Sequence, residues 1–136
     1  MRRLGIGLLT IVLGGLPQLG CDAPPVAWRH NLAAARATAA AEGKPMLVFF
    51  HADWDVASKE LRTHTFADRA VRRRMARFVA VEVDCTDEDA PSATRAVREL
   101  GAIGTPTLIL LAPDGKTEVR RWSQYLPPAD LASALW

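Results

Sequence analysis

Cysteine is scarce in this chain: its 136 residues include only Cys21 and Cys85. Dithiol exchange needs an attacking thiolate and a resolving thiol about one helical turn away, and no such pair is present. Excess charge is missing too. The formal net charge is +2, and Arg2 and Arg3 supply all of it; from Cys21 onward 15 basic residues are matched by 15 acidic ones. A neutral chain gives no electrostatic case for binding nucleic acid. His51, Asp53 and Asp55 alternate and His64 follows, yet no spacing matches a recognised zinc or iron pattern, so neither a metal nor a cofactor is expected. There is no internal repeat and no low-complexity tract. The one strongly apolar N-terminal stretch, residues 5–16, is short for a membrane span.

That stretch has another use. Arg2 and Arg3 precede it and Leu19-Gly20-Cys21 closes it, the layout of a secretory signal over residues 1–20. The Leu-Gly-Cys ending resembles a lipobox, although Gln18 stands where the pattern prefers leucine. The resemblance implies cleavage before Cys21 and a lipid on its sulfur. Residues 21–27, with Pro24-Pro25, read as a tether, and residues 28–136 as one domain. The expected location is the periplasm or cell envelope, on a membrane through Cys21.

The domain alternates helices and strands. Residues 28–42 are rich in Ala, Arg and Glu, with Trp28, Leu32, Ala35 and Ala39 on one stripe, and Gly43 and Pro45 end the helix. Met46 to Ala52 is nearly all apolar, as suits a strand covered on both faces. Asp55 reads as the N-cap of a helix to about His64, and Asp68 as the cap of another over residues 69–77. From Phe78 to Cys85 the pattern alternates, with Val79, Val81, Val83 and Cys85 on one face and Glu82 and Asp84 on the other. Pro91 opens a helix to Leu100, and Thr107 to Leu111 is a second buried strand. Pro113-Asp114-Gly115-Lys116 turns the chain into a strand over residues 117–122, and Pro127-Pro128 opens a last short helix. This order predicts an α/β fold: a mixed sheet flanked by helices, with parallel crossovers and one antiparallel pair at the hairpin.

Strand, then Ala52-Asp53-Trp54-Asp55-Val56-Ala57-Ser58-Lys59, then Gly104-Thr105-Pro106-Thr107 before a second strand, resembles the thioredoxin-like superfamily. It is most similar to the C-terminal periplasmic domain of the thiol:disulfide interchange protein DsbD and its single-domain relatives, whose motif is Ala-Asp-Trp-Cys-x-x-Cys-Lys. Thr65-Phe66-Ala67-Asp68 also resembles the Thr-Phe-Ser-Asp of that domain. The resemblance covers residues 28–136 and places Asp55 and Ser58 where the two redox cysteines belong. Six residues before the first, where relatives carry a buried Asp that assists proton transfer, stands Phe49. The resemblance implies a cis bond before Pro106 and a groove in which Thr105 presents its backbone to an extended peptide beside Trp54. The alternative is that the proline serves only the fold.

No catalytic residue is expected at Asp55 or Ser58. Cys85 reads either as a small buried hydrophobe continuing the valine face or as a reactive thiol. Arg69, Arg72, Arg73, Arg74 and Arg77 read as the solvated side of a helix, or as a surface for an anionic partner or lipid headgroup. Two functions follow. One is a redox-inactive envelope module that binds a protein or an extended peptide. The other is an atypical thiol–disulfide oxidoreductase using Cys85 alone.

Overall fold

A computed structural model describes residues 22–136. The signal expected over residues 1–20 and the lipidation expected at Cys21 lie outside the described residues.

Four strands form one sheet: β1 (Met46–His51), β2 (Val79–Asp84), β3 (Thr107–Leu111) and β4 (Glu118–Trp122), in the order β2-β1-β3-β4. β1 and β3 are buried along their whole length, as their unbroken apolar runs require. β2 runs parallel to β1, with Val79 opposite Met46 and Glu82 opposite Phe49. β3 runs antiparallel to β1 and β4 antiparallel to β3, which corrects the expectation of a single antiparallel pair. The reason lies between α4 (Pro91–Leu100) and β3. Residues 101–106 carry the chain back to the end of the sheet it left after β2, so β3 enters from that end.

α1 (Leu32–Glu42) and α4 cover one face through Ala35, Ala39, Ala93 and Ala96, small side chains that let helices approach the valines of β2. The other face is covered by α2 (Val56–Glu60), a π-helical turn (Leu61–Thr65), α3 (Arg69–Met75) and α5 (Pro128–Ala134). There Phe49 and Phe66 meet, with ring centroids 5.1 Å apart, and Trp28 packs on both.

α1 starts four residues later than the sequence pattern suggested. Asn31 caps it, accepting a hydrogen bond from the Ala34 amide. Before it, the Arg29 amide donates to the Ala80 carbonyl and the Glu82 amide to the Arg29 carbonyl, so the chain closes the outer edge of β2 instead of coiling. Residues 22–27 form no helix or strand, but Ala23 is buried and Val26 packs against the aromatic cluster.

Candidate functional site

The parallel β1 and β2 end, and the antiparallel β3 begins, at one edge of the sheet. Loops at such strand ends are free to carry function on a rigid base. Residues 52–55, 85–90 and 101–106 meet that edge.

Asp55 is the N-cap of α2, as its position predicted: its carboxylate accepts from the Ser58 amide at 3.0 Å. The Ser58 hydroxyl is buried and donates to the same carboxylate oxygen at 2.6 Å. The Ala52 amide approaches the Ser58 hydroxyl oxygen at 3.4 Å. The two residues that the resemblance sets against a redox pair are thus bonded to each other, without sulfur. The Ser58 proton is engaged by the Asp55 carboxylate, the same oxygen that caps the helix, and no histidine bonds the Ser58 hydroxyl among the described residues.

Trp54 stands 59% exposed, and its indole nitrogen donates to the Thr86 carbonyl at 3.3 Å. The Asp53 amide donates to the Thr86 hydroxyl oxygen at 2.9 Å, and Thr86 in turn donates through its amide and hydroxyl to Asp84. Thr86 therefore orients the Trp54 loop, a role its place in an acidic turn did not announce. Those hydrogen bonds hold the Asp84 carboxyl below the usual carboxylate value. Val56 and Ile103 are also exposed apolar side chains, Ile103 to 89%. The Thr105–Pro106 bond is cis, Pro106 is buried, and the Thr105 hydroxyl oxygen is buried without a hydrogen-bond partner among the described residues.

Beneath this surface lies a part-buried polar cluster around His51. His51, 4% exposed at the end of β1, has both ring nitrogens within 3.1 Å of the Arg62 guanidinium. Arg62 reaches Glu82 on β2 at 2.7 Å and lies over the Phe49 ring at 5.6 Å. His30 approaches Glu82 from the chain entry at 3.3 Å. Burial pushes the His51 imidazole below its ordinary 6.5; Arg62 adds to this, and Glu82, Asp84 and Asp53 oppose it. Sequence reasoning missed Arg62 and Glu82 as partners.

One set of metal-capable side chains gathers among the described residues: His51, Asp53 and Asp84, with donor atoms within 4.8 Å of one another. Asp84 joins through strand pairing, which spacing along the chain could not show. Asp55 and His64, the other members of that alternation, stand outside the set. The Arg62 cation already occupies the imidazole, and Thr86 occupies Asp84.

Cys85 sits just past the end of β2, half-buried against the valine face, its thiol directed at the Val83 carbonyl at 3.8 Å. Burial pushes the thiol above its ordinary 9.0, and Asp84 and Glu88 push the same way. That leaves little thiolate at neutral pH for an attack on a disulfide.

Residues 27–113 match the family model described as Thioredoxin-like. The thiol:disulfide interchange protein DsbD of Yersinia enterocolitica is 38% identical over 79 residues, covering 58% of this chain and 14% of the relative. The chain thus spans only a small part of such relatives' length. Among solved structures, a thioredoxin from Thermus thermophilus is similar at 29% identity and TM-score 0.69, covering 82% of this chain and 85% of that one. The oxidised DsbD C-terminal domain of Neisseria meningitidis shares the fold at TM-score 0.64 and 22% identity, covering 79% and 96% of the two chains.

Proposed function

The chain belongs to the thioredoxin-like family, and from that premise we propose that it is a redox-inactive envelope module that binds a protein or an extended peptide. The observation that carries this reading is the Asp55–Ser58 hydrogen bond. It occupies the positions of a redox pair with groups that form no disulfide, and it keeps the helix start capped. Two further observations support binding. Trp54, Val56 and Ile103 leave apolar surface open to solvent. The loop before β3 brings Thr105 and Pro106 to the same sheet edge. An extended peptide there gains main-chain hydrogen bonds from Thr105 and an aromatic wall from Trp54.

In this reading the Leu-Gly-Cys sequence attaches the protein to a membrane by a lipid on Cys21, and the domain stands in the periplasm. No helix among the described residues is long and apolar enough to cross a membrane. The intact mass of membrane-extracted protein, with free-thiol labelling, gives the cleavage site and the state of Cys21.

Insulin reduction with dithiothreitol tests the main claim. The protein should give no acceleration over dithiothreitol alone; clear turnover ends the reading. Selection from a library of extended peptides tests binding, and Trp54→Ala should weaken the selected peptides by about tenfold or more.

A further inference from the structure

Charge balance in this chain conceals segregation. The site edge carries exposed Asp53, Asp84, Asp87, Glu88 and Asp89. The opposite end, where β2 begins, carries Arg69, Arg73, Arg74 and Arg77, all exposed. Half-buried Arg72 and Lys44 join Arg29 around a cleft of about 270 Å³ beside Pro24 and Pro25. The acidic groups at this end are few and engaged: Asp68 caps α3, Glu42 lies 3.2 Å from Lys44, and Asp22 lies 3.9 Å from Arg69.

An aromatic residue belongs to the same face. Trp136 is 54% exposed, and its ring meets Phe78, next to Arg77, at 5.6 Å between centroids. The Arg74 guanidinium donates to the Leu135 carbonyl at 2.7 Å, fixing that segment to α3. Arginines around a half-exposed tryptophan suit the headgroup layer of a bilayer, where cations meet phosphates and an indole meets the apolar boundary. The chain also enters the domain here. Asp22 approaches Arg69, and Ala23 is buried.

We infer that the α3 face, with Trp136, is a docking surface for an anionic phospholipid bilayer and turns the Trp54 edge away from it. The inference rests on the anchored reading only for the nearness of a membrane. Neutralising headgroup charge with several arginines orients a tethered domain without deep insertion.

The full chain, reconstituted into vesicles of phosphatidylcholine alone or with about one-third phosphatidylglycerol, is labelled with phenylglyoxal and read by mass spectrometry. In the anionic vesicles, labelling of Arg69, Arg73 and Arg77 should fall about tenfold. It should recover in about 0.5 M sodium chloride, where screening is short-ranged. Arg98 and Arg120, exposed on other elements, should not change. Equal labelling of the α3 arginines in both vesicles overturns the inference, as does a fall shared by Arg98 and Arg120. An R73E/R77E variant, checked for fold by circular dichroism, should lose the protection of Arg69 in anionic vesicles; retained protection overturns the inference. Failure to attach to neutral vesicles, with protection intact in anionic ones, counts against the lipid anchor and leaves the docking surface standing.

Discussion

Under α1 and α4 the sheet meets alanines packed on valines; under α2, α3 and α5 it meets aromatic rings around the part-buried Arg62–Glu82–His51 cluster. The first face is uniform and closes by fit. The second buries charge, and it does so directly below the loop that holds Trp54 and Asp55. A buried ionic cluster contributes little net stability over apolar packing but fixes geometry, and losing one member leaves the others uncompensated. The difference assigns the plain face to holding the fold and the mixed face to shaping the site.

Deleting apolar volume should hurt whichever face is chosen. Leu108→Ala on the mixed face and Leu111→Ala on the plain face should each cost about 2–5 kcal/mol in chemical denaturation, since both are fully buried. A much smaller loss at Leu108 would mean that the mixed face is loosely packed.

Glu82→Ala sharpens the contrast. It strands Arg62 and His51; because Arg62 is over a third exposed, solvent screening limits the loss to about 1–2 kcal/mol. The intrinsic tryptophan fluorescence, to which Trp28 and Trp54 contribute, should shift as the loop loosens, and unchanged spectra with unchanged stability would remove the shaping role. Asp55→Ala takes away a cap and the partner of Ser58 together, for about 1 kcal/mol. Restoration by Asp55→Asn, which also caps, separates capping from charge.

The smallest effect is with pH. The folded His51 binds its proton less readily than the unfolded one, so below its ordinary 6.5 the unfolded state holds more protons. Stability should therefore fall as pH drops through that window, and recover as pH rises. His51→Gln should flatten this part of the melting profile; an unchanged slope would place its origin elsewhere.

Much of the scaffold could be read from the chain. β1 and β3 stand out because an unbroken apolar run suits a doubly covered strand, and Asp55 and Asp68 stand out because a short acceptor fits an N-cap. The direction of β3 could not be read, since it depends on how residues 101–106 return. Nor could the polar cluster. Glu82 alternates with valines as a solvent-facing residue would, and only the pairing of Phe49 with Glu82 puts it beneath Arg62. A charged residue inside a strand that lies next to a wholly buried one was the available signal. The pairing of Asp55 with Ser58 was half legible: the spacing gave the cap, while the hydroxyl's return bond needed coordinates.

The Arg29 bridge has a consequence for how copies of this protein coexist. By filling the free margin of β2, it leaves β4 as the sheet's remaining open border among the described residues. That border is guarded by Glu118, Arg120 and Arg121, charges that discourage a neighbouring molecule from extending the ladder. Wherever copies of this protein meet, this arrangement disfavours fibril-like stacking.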